Sequence, residues 1–194
     1  MCLLFETIKI AKGLPQNVGY HIDRVKKTRL NLFNNDDTTD FEKLLSNLSL
    51  NSYQTHKLKV IYSKSIIDYQ VSEYTIIPKK SIVLFEIPEI RYNFKFVNRR
   101  VFEEIENGLN PDELGIITQN GYLTDATYAN IVLFDGVKYY TPDNCLLEGT
   151  KRAQLISQKK ICKARIHINE LKKYKYLQII NAMIELEDDI KIYL

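Results

Sequence analysis

Two runs of β-branched and aromatic residues, ELGIIT (113–118) and YLTDATYANIVLF (122–134), are joined by Gln119-Asn120-Gly121. Asn-Gly tolerates positive φ, so between two such runs it marks a tight hairpin and commits this half of the chain to antiparallel pairing. KYYT (138–141) follows Asp135-Gly136 as a further strand, and YLQIINAMIEL (176–186) reads as a strand running into a turn. Gly149-Thr150 stands just ahead of KRAQLISQ and marks a helix start.

The first half mixes element types. Residues 3–10 (LLFETIKI) read as a strand, closed by a turn at Gly13 and Pro15. From Val18 the period changes: Ile22, Val25, Arg29 and Leu32 recur at helical spacing, with His21, Arg24 and Thr28 on an adjacent polar face. The polar cluster NNDDTTD (34–40) reads as a loop that caps a second helix over 41–48. KLKVIYS (57–63), YQVSEYTII (69–77) and SIVLFEI (81–87) read as strands of one sheet, ended by Pro88. Phe94, Val97, Val101 and Ile105 form an i, i+3, i+7, i+11 stripe that predicts a helix stopped by Asn107-Gly108. Two lobes are expected, 1–87 and 88–194, with a linker around 85–92.

At 194 residues and 45% hydrophobic content the chain has enough material for a real core. Its 27 basic and 24 acidic residues are spread along the sequence, too balanced to mark a nucleic-acid surface. Cys2, Cys145 and Cys162 form no CxxC pair, so neither a disulfide framework nor a metal site is expected. Glu6 breaks the N-terminal apolar run after about five residues, and no segment approaches the ~18 uncharged apolar residues of a membrane helix. A cytoplasmic protein with no membrane or nucleic-acid partner is expected.

Lys95 stands between Phe94 and Phe96, with Arg99 and Arg100 close behind. A lysine so placed usually packs its stem and sends its ammonium to water. Taken singly, Asp125 reads as a turn residue, Arg24 as a solvated flank and Gly149-Thr150 as a cap. Their order says more. HIDR (21–24), KFVNR (95–99), DELGIITQNGYLTDATYANIVLF (112–134) and TPDNCLLEGTKRAQLI (141–156), framed by FET (5–7) and INAMIE (180–185), together resemble the fold-type IV pyridoxal-phosphate enzymes, or class IV aminotransferases. The resemblance is to a short member of that family.

That resemblance implies an α+β fold, with a small N-terminal α/β lobe and a larger, β-rich C-terminal lobe that binds pyridoxal 5'-phosphate. It implies that Lys95 forms a Schiff base with the cofactor and later moves the substrate's Cα proton, as an unprotonated amine must. Partial burial among Tyr92, Phe94 and Phe96, beside Arg99 and Arg100, is expected to favour the neutral amine. The carboxylate that keeps the pyridine nitrogen protonated is a glutamate in the family, whereas this chain has Asp125, one methylene shorter. At ~4 Å and an effective dielectric near 20 such a pair is worth roughly 4 kcal/mol. Gly149 and Thr150 at a helix N-terminus and Arg24 are the implied phosphate contacts, and the turn at Asn181 and Ala182 is implied to add backbone contacts near the phosphate or the substrate carboxylate. His21 is the implied orienter of Arg24. Tyr62 and Arg91 are the candidates for holding a substrate carboxylate.

The family also implies a cleft site between lobes, a homodimer, and a small amino substrate. Two reactions compete: elimination like that of 4-amino-4-deoxychorismate lyase, releasing pyruvate, or transamination of a branched-chain or D-amino acid. KFVNR and INAM lie closer to the lyases. A non-catalytic cofactor-binding protein is the third reading, because the chain is short for the family.

Overall fold

The computed structural model describes residues 2–194. They form two compact units, one running to Ile76 and taking in Phe94–Asn98, the other comprising Ile77–Asn93 and Arg99–Leu194.

In the first unit β1 (Leu4–Ala11) turns through Lys12 and Gly13 into the short β2 (Leu14–Pro15); α1 (Val18–Phe33), α2 (Thr39–Asn47), β3 (His56–Tyr62) and β4 (Ile66–Glu73) follow. The strands make one antiparallel sheet in the order β2-β1-β3-β4. Because strand side chains alternate, Leu4, Glu6, Ile8 and Ile10 share one face of β1, and all four are sealed from solvent. The apolar three join Leu58, Val60 and Tyr62 of β3, Val25 of α1, and Phe41 and Leu45 of α2 in one core. Each fully buried aliphatic side chain there contributes about 1.5–3 kcal/mol. α1 stops at Asn34, whose left-handed φ of 51° returns its N–H to the carbonyls of Arg29 and Leu30.

Two sequence expectations fail in this unit. The flank of α1 read as a polar face, His21, Arg24 and Thr28, is largely interior: His21 and Thr28 are buried, as is Arg29 of the neighbouring stripe. Arg29 earns that place with partners, donating to both Asp40 oxygens at 2.7 Å and to the carbonyls of Asp37 and Ser63, with its guanidinium against Phe41 and Tyr62. The stripe over 94–105 is also not one helix. Residues 94–98 run beside β1: Phe5 N–H donates to Lys95 O, Val97 N–H donates to Leu3 O, and Leu4 bridges Phe96. Backbone pairing to an open strand edge has outweighed the local helical pattern.

The second unit holds β5 (Ser81–Glu86), α3 (Arg100–Asn107), β6 (Glu113–Gln119), β7 (Tyr122–Ala126), β8 (Asn130–Phe134), β9 (Tyr139–Pro142), α4 (Thr150–Ser157), β10 (Cys162–Ala164), β11 (Tyr176–Ile180) and β12 (Lys191–Tyr193). Its sheet runs β10-β9-β8-β7-β6-β5, with β11 branching from β8 and β12 pairing with β11. β5 therefore does not join the sheet of β3 and β4 as expected. It pairs in parallel with β6, from Ser81 opposite Glu113 to Glu86 opposite Thr118. Glu86 fastens that register by accepting from the Thr118 hydroxyl and from the N–H groups of Asn120 and Gly121.

The hairpin between β6 and β7 turns as the Asn-Gly pair predicts, with φ of 53° at Asn120 and 75° at Gly121. The stretch 122–134, read as one strand, is two. Ala126 N–H closes on Ala129 O, so β8 folds back on β7 with Asp125 directly opposite Asn130. On its other side Asn130 lies opposite Ile180 of β11. No helix among the described residues is long and apolar enough to cross a membrane.

Candidate active site

Lys95 lies in the first unit and is half-buried. The β1 pairing holds its backbone, and its Nζ sits 4.5 Å from the centroid of the Phe5 ring. Its aromatic partner is thus a residue of β1, whereas Phe94 packs edge-on against Phe96. The neighbours expected to crowd it are engaged elsewhere. Arg100 is exposed and bonded to Glu104, and Arg99 pairs with Glu106 at 3.6 Å and donates to Thr127 O. Tyr92 packs on Phe102.

Arg24 and His21 converge on Glu6. Arg24 grips its carboxylate with Nε at 2.8 Å and Nη2 at 2.6 Å, and His21 Nδ1 lies 2.6 Å from the same carboxylate. Burial alone would raise the Glu6 pKa, but the charge of Arg24 and the bond from His21 overcome it and hold the group at about 2. An ionised carboxylate only accepts, so His21 carries its proton on Nδ1 and turns an acceptor Nε2 to the interior. Burial pulls the His21 pKa below its ordinary value against the pull of Glu6. The expectation that His21 orients Arg24 is therefore changed in kind: Glu6 orients both. Tyr62 cannot meet a substrate carboxylate, because its ring and hydroxyl are enclosed in the core against Phe41. Arg91 is exposed.

In the second unit Asp125 is buried at the end of β7. Its Oδ1 accepts from Asn130 Nδ2 at 2.7 Å and its Oδ2 from Leu147 N–H at 2.9 Å. Burial pushes its pKa up from 3.8 to about 6, and these two donors, with the more distant charge of Arg152, offset only part of the penalty. Asn130 Nδ2 also donates to Leu147 O at 2.9 Å, tying β8 to the loop that leads into α4. A Cβ on Gly149 would fall 2.0 Å from Asn130 Oδ1, so only glycine lets that loop approach.

Gly149 is the N-cap of α4 and brings no capping side chain, and the first turn, Thr150, Lys151 and Arg152, is buried and free of acidic residues. Such a helix start favours an anion. Lys151 reaches from it to Glu185 at 2.5 Å and to Gln154 at 2.8 Å. Asn181 spends its side-chain oxygen on the N–H groups of Met183 and Ile184, shaping the turn that carries Ala182. Lys151 and Glu185 thus brace the α4 start against this turn.

Residues 105–186, which include Asp125, Gly149, Thr150, Asn181 and Ala182, match the amino-transferase class IV family. The chain is 35% identical over 97 residues to an uncharacterised protein of Haemophilus influenzae (strain ATCC 51907 / DSM 11121 / KW20 / Rd), a stretch covering 49% of this chain and 50% of that one. The chain thus aligns with about half the length of the curated relative it matches. A solved structure from Haemophilus somnus 129PT, provisionally a 4-amino-4-deoxychorismate lyase, superposes with a TM-score of 0.84 at 27% identity, covering 96% of this chain and 98% of the other. A hypothetical aminotransferase from Mycobacterium tuberculosis in its PLP-bound form gives 0.76 at 13% identity, covering 98% and 80%. The α+β architecture of the chain is that of fold type IV.

Three residues of these half-sites escaped the sequence reading. Glu6 was visible only as part of FET and as the break in the N-terminal apolar run, Asn130 only as a strand residue, and Lys151 only as a helix residue after the cap. Nothing in their local pattern marks them; each acquires its role from a partner on another element.

Proposed function

We propose that this chain is a pyridoxal-phosphate-dependent enzyme acting on a small amino substrate, with an elimination like that of 4-amino-4-deoxychorismate lyase as its reaction. The observation that carries the reading is Asp125: a buried carboxylate held by neutral donors, pushed up to about 6, within the segment that matches the class IV family. Such a group gains most from a cationic neighbour, so it fits a protonated pyridine nitrogen. The bare, anion-favouring start of α4 fits a phosphate.

Pyridoxal phosphate supplies an aldehyde that condenses with amines and a ring that withdraws electrons from the neighbouring carbon. Lys95 Nζ would be the amine that holds the cofactor and the base placed to take the substrate's Cα proton. Asp125 would keep the ring nitrogen protonated. Arg24 and the N–H groups at Gly149-Thr150 would hold the phosphate, and the Asn181-Ala182 turn would add backbone contacts. The 27% identity across nearly the whole of the Haemophilus somnus protein supports the lyase direction. A homodimer is part of the same reading.

The test is to add pyridoxal phosphate to the apo protein, reduce with borohydride and map the adduct by mass spectrometry. A pyridoxyl group on Lys95, absent from Lys95→Ala, is expected; an unmodified Lys95 would sink the proposal. Pyruvate release from aminodeoxychorismate without a keto-acid acceptor is the expected reaction. Amino-acid-dependent conversion of the cofactor to its amine form, with no pyruvate, would assign transamination instead.

A further inference from the structure

Glu6 is costly where it stands. It occupies the middle of the sealed row Leu4, Glu6, Ile8 and Ile10, on the face of β1 that the helices cover. An apolar side chain would fill that position without desolvating a charge, and replacing buried ion pairs by apolar residues is often neutral or stabilising. Yet Glu6 is kept ionised, at about 2, by two partners from successive turns of α1. Arg24 grips it through Nε and Nη2, the edge of the guanidinium that fixes both the plane and the direction of the group. His21 Nδ1 takes the second position on the same oxygen that receives Nη2. The Arg24 side chain is 13% exposed, against 0% for the other two. It alone of the three retains contact with solvent, while its plane is set from within.

We propose that Glu6 is a positioning residue for anion binding by the first unit: it holds the Arg24 guanidinium in one orientation, ready for a phosphate. The proposal rests on the reading that Arg24 takes the cofactor's phosphate. Arginine loses much rotamer freedom when it is immobilised on binding, and a side chain already fixed by the fold has that loss behind it. Glutamine in place of Glu6 would keep the shape, discard the charge and turn one acceptor into a donor facing Arg24.

The measurement is the affinity of apo protein for pyridoxal phosphate and for pyridoxal, which has the aldehyde and no phosphate, with thermal denaturation alongside. Arg24→Ala reports whether the phosphate is read there, and it should weaken pyridoxal phosphate binding while leaving pyridoxal nearly unchanged. Glu6→Gln should do the same, by about tenfold to a hundredfold, the size of a lost charge-assisted contact. Glu6→Asp keeps the charge and should recover part of the preference. A merely structural Glu6 would lower the melting temperature and affect both ligands equally, and that result overturns the proposal. So does an unchanged ratio in Glu6→Gln when Arg24→Ala has lost it. An unchanged ratio in Arg24→Ala itself brings down the phosphate assignment of Arg24 and this proposal with it, while adduct formation at Lys95 tests the cofactor reading separately. If Glu6→Gln does not fold, Glu6→Asp makes the same comparison: a reduced ratio supports the role and a wild-type ratio overturns it.

Discussion

Asp125 carries a consequence that apo protein can report. Its folded pKa, about 6, lies above its ordinary 3.8, so between these values the folded state holds the proton more tightly than the unfolded one. Stability from this group is complete below pH ~4 and is lost as pH rises to ~6, a change on the order of 3 kcal/mol. Urea unfolding at several pH values should show this decline in the wild type and a flatter profile in Asp125→Ala. Glu6 acts in the opposite sense: its pKa is depressed from 4.5 to about 2, so its contribution is present above pH ~4.5 and fades in stronger acid. Asn130→Ala removes one of the two donors that restrain Asp125, and the carboxyl pKa should climb above about 6, as carboxyl infrared absorption would follow. A wild-type pKa in that variant would mean that Leu147 N–H suffices.

Among elements, two joints hold the candidate site residues of each unit in place. Arg29 clamps α1 to α2 and to the end of β3 through Asp40, Asp37 O and Ser63 O. Arg29→Met keeps the stem but abandons these acceptors, and should destabilise the protein by about 3 kcal/mol in urea unfolding. Between β8 and the start of α4 the joint is Asn130 against Gly149. Gly149→Ala brings a methyl to 2.0 Å from the Asn130 oxygen, so the loop must move. About 1–3 kcal/mol of stability should be lost, together with affinity for pyridoxal phosphate, whereas Ala in place of the unrelated exposed Val137 should cost neither. Element types were legible where local pattern and backbone need agree: β1, α1, α2, and the hairpin at Asn120-Gly121. They were misread at 94–98, where a strand edge captured residues with helical spacing, and at 127–129, where a turn interrupts a run whose composition is all strand.

For the molecule as a whole, the residues proposed to hold the cofactor are Lys95, Arg24, Asp125, Gly149 and Thr150. A ligand that binds only the folded protein stabilises it by about 2.7 kcal/mol at a hundredfold excess over its dissociation constant. Hydrogen exchange with pyridoxal phosphate present should therefore slow at β1 and α1 as well as at β7, β8 and α4; no protection at β1 and α1 would contradict the Arg24 assignment, and none at β7, β8 and α4 the Asp125 assignment. The sequence by itself determined the element types over most of the chain, the Asn-Gly turn and the ordered blocks that resemble class IV enzymes, because these rest on local backbone preference and on residues close in the chain. Only the tertiary structure decided that β5 pairs with β6, that residues 94–98 lie along β1, that Glu6 rather than His21 holds Arg24, and that Asn130 faces Asp125. Those are choices of partner between segments that look alike locally, and they are made by which pairing buries the apolar rows while leaving each enclosed charge with a counterpart.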